Sequence, residues 1–148
     1  MMKSRKRVLL AVGAILLLAS VELGRAVATQ PPADELPPII KSGLVAYKSE
    51  GPEAAIKAWL KGSPLEGNRD ALTQVNMLRQ IQDYYGSYQS FDAISSHNLT
   101  PNTQIVYFAM NYEKGPVFGK FLIYHGADGW VMVSFTFNTK PELILPNS

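Results

Sequence analysis

The stretch that decides the fold is residues 103–138, TQIVYFAMNYEKGPVFGKFLIYHGADGWVMVSFTFN. It contains three runs rich in β-branched and aromatic residues, separated by the turn-like sequences EKGP and GADG. Apolar side chains recur in it at a period of two, which indicates strands rather than helices. The stretch therefore predicts consecutive antiparallel strands over residues 103–113, 117–125 and 130–138, joined by hairpins.

A further strand is predicted immediately before this stretch, over residues 87–99. Its alternation slips once, which is typical of a β-bulge, and Thr100-Pro101-Asn102 then marks a turn. After the last strand, Pro141 begins a short tail that is compatible with one helical turn. The expected sheet thus has four antiparallel strands in chain order.

The apolar period becomes helical before residue 87, and glycine and proline divide that region into three helices. The expected limits of the helices are Pro37 or Pro38 to Gly51, Pro52 to Gly62, and Asn68 to Gly86. Three N-terminal helices followed by a four-stranded sheet predict an α+β fold in which the helices pack on one face of the sheet.

The two hairpins also predict which side chains share a face of the sheet. If the four-residue turns close symmetrically, Tyr112 faces Val117 and His125 faces Trp130. One face then collects Ile105, Tyr107, Ala109, Asn111, Phe118, Lys120, Leu122, Tyr124, Val131, Val133, Phe135 and Phe137. The opposite face collects Val106, Phe108, Met110, Tyr112, Val117, Phe121, Ile123, His125, Trp130, Met132, Ser134 and Thr136.

Both predicted faces are rich in large apolar side chains, whereas three short helices cover only one of them. The second face is expected to meet a partner subunit, a ligand, or the first strand and the tail folded over it. The hypothesis that follows is a homodimer through a sheet face. The alternative is a one-residue bulge that shifts the register and leaves a polar outer face.

The first 28 residues have the three parts of a secretory signal peptide. KSRKR at residues 3–7 is cationic, Val8 to Ser20 is apolar, and Ala26-Val27-Ala28 has the A-x-A cleavage pattern. We expect cleavage after Ala28 and a periplasmic or secreted protein with no membrane span after cleavage. A retained anchor is disfavoured because charged residues interrupt the apolar run soon after residue 20.

The remainder divides into a proline-rich tether over residues 29–38, TQPPADELPP, and a single α+β domain over residues 39–148. The leader, residues 1–28, carries five bases and one acid, a net charge of +4, whereas the other 120 residues carry nine bases and eleven acids, a net charge of −2. Without a basic cluster in that part, nucleic-acid binding is not expected.

The residue types in the chain also limit its chemistry. Cysteine is absent, which removes disulfides, thiolate nucleophiles and a lipid-modified cysteine anchor. The two histidines, His97 and His125, match no metal-ligand spacing, and no glycine-rich loop follows a strand to hold phosphate. We therefore expect neither a metal nor a cofactor.

Several short sequences resemble a known family. Tyr85-Gly86-Ser87-Tyr88, the turn residues 111–116, Asp128-Gly129-Trp130 and residues 135–138 occur in an order similar to small bacterial exported domains of the nuclear transport factor 2-like superfold, also described as SnoaL-like or cystatin-like. The resemblance covers most of the chain after the leader. It implies helices wrapped around a curved antiparallel sheet to form a cone, and frequent dimerisation through the sheet.

The resemblance implies no single activity, because this superfold hosts isomerases, dehydratases, small-ligand binders and dimerisation modules. The candidate ligand-binding residues are Tyr107, Asn111, Lys120 and Tyr124, whose polar tips share one largely apolar face in the predicted register. The alternative, which is the commoner outcome for such residues, is that the tyrosine tips reach water at the rim while Lys120 extends along the surface.

Two functions are consistent with these observations. The leading hypothesis is an exported, non-catalytic binding or interaction module that holds a small apolar ligand or an envelope protein in the cone or on the open sheet face. The alternative is a cofactor-free acid/base enzyme, an isomerase or hydrolase, that uses Asp92 or His125. The enzyme requires that carboxylate or imidazole inside a pocket, within hydrogen-bond reach of a substrate.

Overall fold

The structure is a computed structural model that describes residues 36–146. The predicted signal peptide and most of the predicted tether lie outside the described residues. Within residues 36–146, no helix is long and apolar enough to cross a membrane.

Three α-helices come first: α1 (Pro38–Glu50), α2 (Pro52–Leu60) and α3 (Arg69–Tyr85). Each of α1 and α2 begins with a proline, at a position where the backbone N–H that proline lacks would have no acceptor within the helix. Gly51 separates these helices at a φ of +95°, a conformation that favours glycine. The helix ends that proline and glycine mark in the sequence are therefore confirmed to within about two residues.

Four strands follow: β1 (Tyr88–Thr100), β2 (Thr103–Tyr112), β3 (Gly115–Gly126) and β4 (Gly129–Asn138). They form one open antiparallel sheet in the order β1-β2-β3-β4. The predicted α+β class, with three helices and a four-stranded antiparallel sheet, is confirmed. A 3-10 helical turn at Pro141–Leu143 follows β4, so the helical elements do not all precede the sheet.

The register of the β2–β3 hairpin differs from the prediction. Tyr112 pairs with Gly115 instead of Val117, because Glu113 and Lys114 alone form the turn. The shift is two residues, an even number, so each side chain of β2 and β3 keeps its predicted face. The other predicted pair, His125 with Trp130, is confirmed.

A β-bulge changes the predicted faces at the end of β4. Ile123 pairs with Met132 but Leu122 pairs with Ser134, which leaves Val133 as the extra residue. Beyond this point Phe135 and Phe137 turn to the helix-covered face. The prediction that Phe135 and Phe137 share the face of Ile105 was wrong.

The bulge also moves the two neighbouring polar residues, Ser134 and Thr136, to the opposite face of the sheet from the one predicted. Ser134 pairs with Leu122 and Thr136 pairs with Lys120, so both share the face of those two residues of β3. Their assignment to the face of Val106 was wrong. The face of Leu122 and Lys120 is therefore more polar at the end of β4 than predicted. A bulge that makes this face more polar was the alternative stated in the sequence analysis.

Aromatic side chains fill the space between the helices and the sheet. Phe108 stacks on Phe121 with ring centroids 4.3 Å apart, and the Trp59 ring lies 5.0 Å from Phe121. Gly119, which has no Cβ, leaves the space that the Phe108 ring occupies. Trp59 is fully buried and its Nε1 donates a hydrogen bond to the Ile40 carbonyl at 3.1 Å. This packing fixes α1 and α2 against the sheet.

Candidate functional site

The second face of the sheet, which we call the open face, lies away from the three helices. Its central row runs across all four strands through Ser95, Tyr107, Lys120 and Thr136. Apolar side chains surround this row, and they are half-buried or partly exposed rather than packed in the main core: Ile105, Phe118, Leu122, Tyr124 and Val131. The open face thus mixes apolar contact area with a few polar groups.

All four predicted ligand-binding residues lie on the open face, but they do not form one group. Tyr107 and Lys120 are direct cross-strand neighbours. Asn111 pairs with Pro116 at one end, and Tyr124 pairs with Thr103 at the other. Eight residues of strand separate these two levels, about 26 Å at 3.3 Å per residue. A small molecule at Tyr107 and Lys120 therefore does not reach both Asn111 and Tyr124.

Asn111 instead belongs to a polar cluster that the sequence did not reveal. Its side-chain amide Nδ2 donates to the Ser90 hydroxyl at 3.0 Å and to the Asp92 carboxylate at 2.6 Å. Ser90 and Asp92 alternate on β1, which is the only sequence signal that they share a face. The cluster holds one carboxylate in place at the β1 side of the open face.

The open face carries opposite charges on either side of β2. Asp92 lies on β1, whereas Lys120 lies half-buried on β3 and makes no ion pair with any residue between 36 and 146. Next to Lys120 in the same row, the Tyr107 ring contacts the His97 ring edge to face, with centroids 5.9 Å apart. The arrangement suits a partner that presents both an anionic and a cationic group.

The groups that acid/base chemistry would need are all exposed. Throughout the described part of the chain, every aspartate and glutamate and both histidines lie at the surface, including Asp92 and His125. In the same residues, no three acidic or histidine side chains come together in a way that could hold a metal ion. These side chains therefore face water rather than an enclosed pocket that could hold a substrate against them.

Three tyrosines form the other polar group of note, and they lie on the helix-covered side. The hydroxyls of Tyr47 and Tyr112 are 3.0 Å apart and buried, and the Tyr88 ring lies 4.8 Å from the Tyr47 ring. Burial raises the pKa of Tyr47 and of Tyr112, and it raises the pKa of Tyr88 to about 12. The phenols are therefore neutral under ordinary conditions, and their hydrogen bond ties α1 to β2.

Comparison with known proteins adds no relative to these observations. Scans against protein-family models, curated proteins and solved structures found no match to this chain. A proposal for its function therefore depends on the geometry of the described residues.

Proposed function

We propose that this protein is a non-catalytic interaction module that docks a protein partner on its open face. The observation that carries the proposal is a sheet face that has large apolar side chains and lies away from α1, α2 and α3. Tyr124 is 42% exposed there, and Ile105, Phe118 and Leu122 are half-buried. Several large apolar side chains that stay partly exposed on one face of a folded domain are typical of an interaction surface.

The open face is a better docking site than the interior of the fold. The Trp59, Phe108 and Phe121 rings pack between the helices and the sheet, and all three side chains are fully buried. A ligand in that place would have to displace well-packed aromatic side chains, whereas a partner on the open face displaces only water.

The partner that we propose is a second copy of this chain. Two sheets can pack face to face about 10 Å apart with their strands roughly aligned. A two-fold axis along β2 would then place β1 of one copy over β3 of the other. Asp92 of each copy would thus approach Lys120 of its partner within the reach of a lysine side chain, and the apolar residues between them would be buried.

The acid/base enzyme is the weaker alternative. It requires a carboxylate or imidazole in a pocket, but the proposed groups, Asp92 and His125, are both exposed. The Asp92 carboxylate is also already engaged, because it accepts a hydrogen bond from the Asn111 side-chain amide. A small apolar ligand is the second candidate occupant of the open face.

The fold family and the location are also proposals. We infer membership of the nuclear transport factor 2-like superfold, with a sheet curved into a cone around the aromatic core. Support comes from three helices followed by an antiparallel sheet with β4 bulged at Val133, since bulges increase the bend and twist of a sheet. We likewise propose export to the periplasm or the cell exterior, on the strength of the leader sequence at residues 1–28.

A charge exchange between Asp92 and Lys120 tests the proposed dimer. The single variants Asp92→Lys and Lys120→Asp each place like charges opposite one another, and both should weaken the dimer by about tenfold or more. The double variant restores opposite charges and should recover most of the affinity, as measured by sedimentation velocity. Asp128→Lys, in the exposed β3–β4 turn, is the matched control and should leave the dimer unchanged.

If both single variants and the double variant sediment like the unaltered protein, Asp92 and Lys120 do not face each other between copies. If the unaltered protein is itself a monomer, the second copy is excluded as the partner. Native mass spectrometry of the protein purified from its own envelope would then show whether another protein or a small ligand occupies the open face.

A further inference from the structure

A groove lies between α3 and β4, at the edge of the sheet that β4 forms. One wall is the first part of α3, with Asp70, Ala71 and Gln74, and the other is β4 around Val133 and Phe135. The cavity volume of the groove is about 250 Å³. Pockets for drug-sized ligands are roughly 300–1,000 Å³, so this groove suits a smaller molecule.

A small molecule fits this edge better than an added strand does. Val133 is the extra residue of the β4 bulge, so the backbone groups of β4 lose their regular spacing here. A strand that pairs with a sheet edge needs that spacing, and a bulge is one way in which an edge avoids such pairing. Val133 is 42% exposed, and it lines the groove together with the half-buried Phe135. These two side chains offer apolar contact to the body of a ligand.

The helix wall carries a hydrogen-bond acceptor that lacks a donor. Gln74 Oε1 is buried and has no hydrogen-bond partner within residues 36–146. A buried acceptor without a partner destabilises a protein, so a donor that satisfies it binds favourably. The side-chain amide of glutamine ends in a soft torsion, and a turn about this torsion presents the oxygen to the groove that Gln74 lines.

The same wall supplies a negative charge. Asp70 is exposed and lies four residues before Gln74, so both side chains project from one face of α3, about 6 Å apart along the axis. Within residues 36–146 the Asp70 carboxylate makes no ion pair, and the adjacent base Arg69 does not line the groove. An aromatic ring such as that of Phe135 on the opposite wall attracts a cation placed over its face. An ammonium group is positive and has several N–H donors, so it is complementary to all three groups.

We propose that this groove binds a primary ammonium ion with a small apolar body, of the arylalkylamine class. The body lies against Val133 and Phe135, while the ammonium group donates to Gln74 Oε1 and lies next to the Asp70 carboxylate. The proposal goes beyond the pairing of two copies through the open face, because it concerns a ligand between α3 and the edge of the sheet. Either proposal can fail without the other.

Titration of the full chain with phenethylammonium tests the proposal, with amide chemical shifts and calorimetry as readouts. The shifts should change at Ala71, Gln74 and Val133 and stay constant at Tyr107 and Leu122 on the open face. Phenethyl alcohol, which has the same body without the charge, should bind at least about threefold more weakly. Hydrocinnamate, which carries the opposite charge, should bind more weakly still.

Two pairs of variants locate the site on α3. Gln74→Met keeps the approximate size of the side chain without its acceptor, so it should weaken phenethylammonium binding by at least about threefold. Gln80→Met, at an exposed position of the same helix, is its control and should not change binding. Asp70→Asn should weaken binding by about threefold or more, whereas Asp83→Asn, exposed near the other end of α3, should not.

The stability of Gln74→Met separates a binding role from a structural one. Because the unpartnered acceptor is removed, the urea midpoint of the ligand-free variant should equal or exceed that of the unaltered protein. Weaker binding in a protein that is equally stable or more stable supports the proposal. Far-ultraviolet circular dichroism verifies that each variant is folded.

Three results would overturn the proposal. The first is an absence of shift changes at Ala71, Gln74 and Val133 up to millimolar phenethylammonium, which would leave water as the only partner of the Gln74 oxygen. The second is equal binding of phenethylammonium and phenethyl alcohol, or equal effects of the groove variants and their controls. The third is a set of shift changes confined to Tyr107 and Leu122, which would place the ligand on the open face instead.

Discussion

Replacement of Gly43 by alanine sets helix propensity against packing, and the structure decides the sign. Gly43 lies inside α1 and is buried. An alanine inside a helix ordinarily stabilises a protein by about 1 kcal/mol relative to glycine. Here, however, a Cβ at position 43 would overlap the Trp59 ring at its Nε1 and Cδ1 atoms.

The cost of that overlap has two parts. Trp59 is fully buried and lies 5.0 Å from Phe121, so its ring has little room to move away. Overpacking a core typically costs about 1–3 kcal/mol. If the ring shifts, its Nε1 also loses the hydrogen bond to the Ile40 carbonyl, which costs a further 1–3 kcal/mol or so in a buried place. After the gain in propensity, we expect a net loss of roughly 1–5 kcal/mol in the free energy of unfolding.

Urea unfolding followed by far-ultraviolet circular dichroism measures this loss without relying on tryptophan emission. A loss of about 1–5 kcal/mol lowers the midpoint by about 0.5–2.5 M for a slope near 2 kcal/mol/M. In a Trp59→Leu background the same replacement should cost far less, because the indole is gone. Ser42→Ala, at an exposed neighbouring position, is the control and should change stability by no more than about 0.5 kcal/mol. A Gly43→Ala protein that is more stable than the original would refute the described packing of α1 on Trp59.

Further predictions concern the core of the sheet and the buried tyrosines. Gly119→Ala should destabilise the protein by about 1–3 kcal/mol in the same urea assay, because its Cβ would lie 2.7 Å from Cε2 of the tightly stacked Phe108 ring; an unchanged midpoint would contradict this. Tyr112→Phe should cost about 1–3 kcal/mol, since it leaves the buried Tyr47 hydroxyl without its partner, and a stabilised variant would count against that hydrogen bond. The pKa of Tyr88 is raised to about 12, above its model-peptide value of 10.0, and burial raises the pKa of the other two tyrosines as well. Their contribution to stability is thus complete below pH 10 and should be lost as the pH rises towards 12, so a urea midpoint that stays constant over this range would contradict their burial.

The elements of this fold could be predicted because their signals are local. Pro38 and Pro52 begin helices, Gly51 and Gly86 end them, and Gly129 closes a hairpin through backbone conformations that short sequences specify. These signals do not depend on what the elements pack against. The α+β class and the chain order of the strands followed from them.

The faces of β4 could not be predicted, because the alternation of its apolar residues favours a register that the structure does not adopt. Val131, Val133, Phe135 and Phe137 alternate without interruption and so indicate a single face. The bulge at Val133 instead turns both phenylalanines towards the core, where Phe137 lies 6.3 Å from the Trp59 ring. Tertiary packing, rather than local sequence, determines this register.

The candidate site was predictable to a similar extent. That Tyr107 and Lys120 share a face follows from the parity of the β2–β3 hairpin, which a shift of two residues does not alter. Their direct pairing depends on the register, and the predicted register paired Tyr107 with Leu122 instead. The cluster of Asn111 with Ser90 and Asp92 depends on the β1–β2 register, and that pairing contains three shifts. No local signal in β1 gives the positions of these shifts.

The most direct test of the open face as an interaction surface is the mass of the protein in solution. Light scattering from low to high micromolar concentration should give twice the mass of one chain at the upper end. Leu122→Glu, in the middle of the open face, should reduce this to the mass of one chain, and Leu72→Glu on α3 should not. A mass of one chain for the unaltered protein at every concentration would contradict the proposed pairing of two copies through the open face.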